Sequence, residues 1–190
     1  FLTLINNSSL VGSIPNFSSI SNLKEINLTN NDLSGTIPNF DNLPNAIKLR
    51  LSNNQLNGTI PNFSNLPSIQ LLVFSNNQLN GTIPDFADLE DLEWLYLSNN
   101  SLAGSIPNFN LPFLEDCYLI NNDLTGTIPN FDNSPKLRYI RFENNFLTGS
   151  IPDFSQLEVL ELLHLQNNQL TGSVPNFQNS PLLYDLKVCD

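Results

Sequence analysis

Twelve side chains that could do chemistry in this chain fall on a small set of registers. Trp94 is the single tryptophan, and Tyr96, Tyr118 and Tyr139 are three of the four tyrosines. Arg50, Arg141, Glu143 and His164 lie on the same registers, as do Leu71, Val73, Ile120 and Leu162. Aromatic residues with arginine are the usual anchors of a recognition surface, and aromatic faces also stack on sugars. Catalysis finds little support. His164 is the only histidine, and no His/Cys cluster has metal-ligand spacing. No phosphate loop or nucleophile elbow is present. The reading is therefore no catalytic residue, no metal and no cofactor. A lone histidine on a sheet surface is expected to be solvent-exposed. The acidic run Asp85, Asp88, Glu90, Asp91 and Glu93 reads as a solvated loop, without the spaced oxygen ligands of a calcium site.

What positions these residues is a repeat. The glycines are Gly12, Gly35, Gly58, Gly81, Gly104, Gly126, Gly149 and Gly172, separated by 23 residues except for one step of 22. A fixed period of this size marks a solenoid whose turns stack on one another. Take Leu23 as position 1 of a turn. Positions 4 and 6 are apolar, as in Ile26 and Leu28, Leu95 and Leu97, Cys117 and Leu119. Their alternation with polar or variable neighbours predicts one short half-buried strand per turn, hence a parallel sheet. Positions 3, 5 and 7 then point outward from that sheet, and all twelve side chains sit there. Clustered apolar and aromatic residues with polar flanks have the look of a binding patch. The competing reading is cross-strand packing alone.

Position 9 is Asn in every complete turn, from Asn31 to Asn168. An inward Asn at the strand exit is expected to bond backbone groups of its own turn and the next. Glycine follows at position 13, then a Ser or Thr, then Ile-Pro or Val-Pro. A Phe comes next in every turn: Phe17, Phe40, Phe63, Phe86, Phe109, Phe131, Phe154 and Phe177. A buried stack on the convex side is the simplest place for that column.

The pattern LxxLxLxxNxLxGxIP resembles the leucine-rich repeat of the plant-type extracellular class. The resemblance runs along essentially the whole chain. It implies an α/β-type repeat solenoid, mostly β and irregular. The expected form is a curved right-handed coil with the parallel sheet on its concave face and a second, shorter strand from LxGxIP. Residues 1–190 are read as a single array of eight turns plus a terminal strand, an excerpt of a longer solenoid. Three departures stand out: a 23-residue period where the family typically has 24, Phe after Ile-Pro, and missing disulfide-bearing caps. Cys117 takes an inward strand position. About 14 Å of stacked strands separates it from Cys189, too far for a disulfide.

The net charge of −11 argues against a nucleic-acid partner. It also argues against an anionic membrane surface, and no stretch is apolar for long enough to insert in a bilayer. The resemblance implies an extracellular or cell-surface location and a protein, peptide or glycan ligand. Asn-x-Ser/Thr triplets at Asn6, Asn7, Asn16, Asn27, Asn57, Asn62, Asn80 and Asn99 are candidate glycosylation sites. The leading expectation is a non-enzymatic recognition module that binds on its concave face. One alternative is a structural glycoprotein that self-associates end to end into a fibre. A lesser one is ice binding through the hydroxyl column after the glycines: Ser13, Thr36, Thr59, Thr82, Ser105, Thr127, Ser150 and Ser173.

Overall fold

The computed structural model describes residues 1–188, so Cys189 lies outside the described residues. The strands run, in chain order, β1 (Leu2–Thr3), β2 (Asn7–Gly12), β3 (Glu25–Asn27), β4 (Asn31–Gly35), β5 (Lys48–Arg50), β6 (Gln55–Gly58), β7 (Leu71–Val73), β8 (Gln78–Gly81) and β9 (Trp94–Tyr96). They continue as β10 (Ser101–Ser105), β11 (Asp116–Tyr118), β12 (Asp123–Thr125), β13 (Tyr139–Arg141), β14 (Thr148–Ser150), β15 (Leu162–His164), β16 (Gln169–Thr171) and β17 (Asp185–Lys187). Among the described residues every regular element is a strand. The nine odd-numbered strands form one sheet in sequence order, all parallel. The even-numbered strands form a six-stranded ladder, β2 to β12, and a two-stranded one, β14 and β16. The parallel solenoid that the repeat implies is the fold observed.

Each turn is closed by the same buried rows. The central residue of the odd strands, such as Leu72, Leu95, Cys117 and Ile140, is fully buried. Burial also pushes the Cys117 thiol well above its ordinary range. Leucines before the glycine, isoleucines after it and the phenylalanines complete one continuous core. Two turns put serine where the others put leucine in this core. Ser134 Oγ donates to Phe109 O at 3.1 Å, and Ser180 Oγ donates to Leu157 O at 3.0 Å. Those bonds satisfy the buried hydroxyls, which would otherwise be costly.

The position-9 asparagines tie consecutive turns. Asn122 Nδ2 donates to Leu119 O of its own turn and to Leu97 O of the turn before, both at 3.1 Å, while its Oδ1 accepts from Leu102 N at 3.1 Å. The same set recurs at Asn54, Asn77 and Asn100. The reach is toward the preceding turn, where the sequence suggested the next one. Toward the next turn the backbone is already paired, as in Asn122 N to Asn144 O at 3.3 Å, so the open groups are behind. The asparagine just before each of these, as at Asn99 (φ 58°) and Asn121 (φ 54°), takes the left-handed conformation that makes the bend. Asn tolerates that region because its short side chain bonds locally.

The phenylalanines are stacked, as expected. Successive rings lie 6.3 Å apart at Phe17–Phe40 and 6.2 Å apart at Phe109–Phe131. Less expected is their backbone, which is left-handed at every spine phenylalanine except Phe109 of the shortened turn, with φ 54° at Phe40 and 57° at Phe131. A bulky residue there costs about 1–3 kcal/mol. Full burial of the ring contributes about 1.5–3 kcal/mol, which offsets it. The Phe carbonyl then accepts a turn bond from three residues on, as in Leu43 N to Phe40 O at 3.2 Å. That turn carries the chain back toward the next inner strand.

Candidate functional site

The outward residues of the inner strands form ladders across the sheet. Leu71 is in register with Trp94 and Val73 with Tyr96. Asp116 pairs with Trp94 and Tyr118 with Tyr96 on one side, and with Tyr139 and Arg141 on the other. Arg141 is in turn the register partner of His164. The parallel sheet thus places Trp94, Tyr96, Tyr118, Tyr139, Val73, Ile120 and Leu162 on one face, all half-buried.

Two subregions can be told apart. Lys48, Arg50, Leu71, Val73, Trp94 and Tyr96 line an open hollow of about 390 Å³. Arg50 is tied at its edge by an ion pair with Glu25. The Tyr96 and Tyr118 rings meet at 4.8 Å with a 54° tilt, and the Arg141 guanidinium lies 5.8 Å from the Tyr118 ring. Tyr96 donates its hydroxyl to Asp116. Burial, then that bond, pushes the Tyr96 phenol well above its usual value. Burial also raises the Asp116 carboxyl, against the lowering effect of the Tyr96 bond.

Beyond Tyr118 the face becomes a network of paired charges. Arg141 pairs with Glu143, and His164 Nε2 lies 2.8 Å from Asp185 Oδ2. Glu143 is only 3% exposed, His164 4% and Leu71 6%. The expected solvent-exposed histidine is therefore corrected. His164 is buried because the next turn lays β17 alongside it and supplies Asp185. Glu143 is likewise covered, and Leu71 keeps only a small exposed area at the floor of the first hollow. All three sit on the predicted face but a layer below its surface.

Tyr139 is held differently from Tyr96 and Tyr118. Its hydroxyl donates to Glu161 Oε2 at 2.7 Å, and the Arg138 guanidinium sits 5.2 Å from its ring centre. Arg138 also donates to Glu161 Oε1, at 2.6 Å from Nη2 and 3.0 Å from Nε. Hydrogen bonds from Tyr139 and Arg138 hold the Glu161 carboxyl below its ordinary value. Glu115, Lys136, Arg138, Val159, Glu161 and Leu182 border a second hollow of about 420 Å³. Sequence reading did not single out Arg138, Glu161, Asp116 or Asp185. Their signal was the variable columns at positions 2 and 3, where charges recur from turn to turn.

The glycosylation candidates divide by place. Asn57, Asn62 and Asn80 are exposed on outer loops or at the second ladder. Asn16 is half-buried and exchanges hydrogen bonds with Asp41. Asn27 lies on β3, its Oδ1 accepting from Thr29 N at 3.2 Å. Asn6, Asn7 and Asn99 are exposed, and their Oδ1 atoms accept from Asn30, Ser9 and Asn121 respectively.

Leucine Rich Repeat family models match residues 22–43, 45–66, 91–110 and 159–180. Solved structures superpose along the chain. The plant peptide hormone receptor RGFR1 in complex with RGF2 is 35% identical, with a TM-score of 0.89 over 97% of this chain and 31% of that one. A pollen receptor kinase 3 is 32% identical, with a TM-score of 0.62 over 84% of this chain and 69% of that one. The chain belongs to the leucine-rich repeat family. A plant ice-binding protein is also similar, 32% identical with a TM-score of 0.80 over 98% of this chain and 63% of that one. No curated protein sequence matches the chain. This leucine-rich-repeat array spans less than a third of the receptor RGFR1. Nine of its twelve predicted concave residues are thus at least partly exposed on a plant-type repeat scaffold.

Proposed function

We propose that this chain is a non-enzymatic extracellular recognition module that binds an extended peptide or protein segment along its concave face. One observation carries the reading. Trp94, Tyr96 and Tyr118 stand on neighbouring strands, half-buried, the first two lining a hollow and Tyr118 packed on Tyr96, although the repeat needs none of them for its core. Such residues are favoured anchors in interfaces. The likeness to a peptide hormone receptor supports both the peptide ligand and the extracellular location. Glycans remain a weaker fit, since the hollow is lined by aliphatic as well as aromatic side chains.

The test uses a displayed library of random dodecapeptides selected on the intact protein. Enriched peptides should bind the wild type and be lost on a Trp94→Ala/Tyr118→Ala variant with unchanged thermal unfolding. Selection that yields no binders, or binders indifferent to the two substitutions, sinks the reading.

A second reading, ice binding, is favoured by the likeness to a plant ice-binding protein. It would use the column from Ser13 to Ser173, every member of which is exposed. Thermal hysteresis measured on the purified protein decides it: freezing and melting points that coincide remove ice binding.

A further inference from the structure

Four buried polar atoms on the concave face have no hydrogen-bond partner: Arg141 Nε, Glu143 Oε2, His164 Nδ1 and Gln166 Oε1. They are neighbours. Arg141 and His164 are in register on adjacent strands, and Asn144 N donates to Gln166 O at 3.1 Å, which keeps the two strand exits side by side. Glu143 and His164 are more than nine-tenths buried. Native proteins leave few such atoms unpaired, so four in one patch point to a ligand group.

The chemistry of that group follows from the valences. Asp185 accepts from His164 Nε2, which leaves Nδ1 of the neutral ring as an acceptor. Glu143 Oε2 and Gln166 Oε1 are acceptors too, whereas Arg141 Nε is a donor. Arg141 offsets the charge of Glu143, and the Asp185 carboxylate is already engaged by His164 Nε2. A ligand cation would sit against the Arg141 guanidinium and leave its Nε donor unfilled. A ligand carboxylate would offer acceptors to acceptors. A primary carboxamide is neutral and supplies two N–H donors and one carbonyl acceptor. Arg141 and Gln166 are partly exposed and form the outer cover of the patch, so a rotamer change in these two side chains opens it.

The distance to the aromatic hollow sets a spacing. β9 and β15 are three strand steps apart, about 14 Å at the usual strand separation. An extended peptide covers that in about four residues. On the reading of the concave face as a peptide site, we propose that it recognises a bipartite motif. One part is an apolar or aromatic side chain seated in the hollow beside Val73, Trp94 and Tyr96. The other is an Asn or Gln about four positions away, its two amide N–H groups bonded to Glu143 Oε2 and Gln166 Oε1 and its carbonyl accepting from Arg141 Nε.

The same dodecapeptide selection tests it. Enriched sequences should share an Asn or Gln at a fixed spacing from an apolar residue. Changing that Asn or Gln to Leu in a selected peptide should weaken binding to the wild type about tenfold or more. On the Gln166→Leu protein the two peptides should bind with nearly equal affinity. Binders with the apolar residue but no carboxamide, or with Asp or Glu in its place, overturn the proposal and leave peptide recognition standing. So does a peptide Leu change without effect on the wild type, a comparison that holds even if Gln166→Leu fails to fold. Failure to obtain any binder overturns the recognition reading itself.

Discussion

Aromatic residues occupy two regions of this molecule and do opposite things in them. On the convex side the phenylalanines recur once per turn, stack ring on ring, and from Phe40 to Phe154 are at most 1% exposed. On the concave side Trp94, Tyr96 and Tyr118 are half-buried, the first two at an open hollow and Tyr118 packed on Tyr96. Residues repeated in every turn serve what every turn needs, which is closure of the core. Residues that appear in one or two turns are not required by the repeat itself. The comparison can be broken by substitutions on the two sides.

The largest effect belongs to the Phe spine. Phe109→Ala removes a fully buried ring flanked by Phe86 and Phe131 and should cost about 3–5 kcal/mol, read as a drop in the denaturation midpoint. Phe142→Ala, at an inner strand exit without a positive φ, creates a similar cavity and should cost about as much. If Phe109→Ala costs under about 1 kcal/mol, the spine is not what closes the turns.

Next come the backbone devices. Asn122→Ala leaves Leu102 N without its partner and removes one of two asparagine donors from the Leu97 and Leu119 carbonyls, at about 1–3 kcal/mol. Gly81→Ala puts a Cβ into a backbone at φ 76°, 2.9 Å from Thr59 Cγ2, and should cost about 1–2 kcal/mol. Equilibrium unfolding of each variant checks both values. An Asn122→Ala protein as stable as the wild type would mean that water replaces the carboxamide.

Alkaline pH probes the concave side without mutation. Burial raises the phenols of Tyr96 and Tyr118, and the hydrogen bond to Glu161 raises that of Tyr139. A raised folded value means the stabilisation is complete below the ordinary 10.0 and is lost as pH climbs through the higher folded values. The melting temperature should therefore fall between about pH 9 and about pH 11, and Tyr96→Phe should reduce that fall. The acid side is more nearly balanced. Glu161, held low, loses its contribution as pH drops below 4.5, while Asp116 and Glu93, raised chiefly by burial, ease the strain on protonation. A Tyr96→Phe protein with the same alkaline slope as the wild type would remove the buried phenol from the account.

The fold was legible because its determinants repeat. Glycine, Asn and Phe columns at a constant period define strands, bends and core rows before any contact is known. The concave face was legible as a set of registers, since alternation alone says which side chains leave the core. The pairings on that face were not. His164 is buried because Asp185 stands on the following strand, and Glu143 because Arg141 folds over it; neither follows from a residue's own register. The left-handed backbone of the phenylalanines was also hidden, because steric preference argues against a bulky residue in that region. Only the turn that needs the reversal and the stack that buries the ring explain it.

The smallest effect on stability should come from the concave aromatics, and it is the most discriminating. Trp94 and Tyr118 are half-buried, with no neighbours in the core that depend on their volume. The Trp94→Ala/Tyr118→Ala variant should lie within about 1 kcal/mol of the wild type by denaturant unfolding, because exposed sites rarely contribute more. Tyr118 does pack on Tyr96 at 4.8 Å, which sets the upper end of that range. Loss of peptide capture with this little loss of stability would separate the two aromatic regions. A cost as large as that of Phe109→Ala would instead make Trp94 and Tyr118 a second spine, and their clustering a matter of packing.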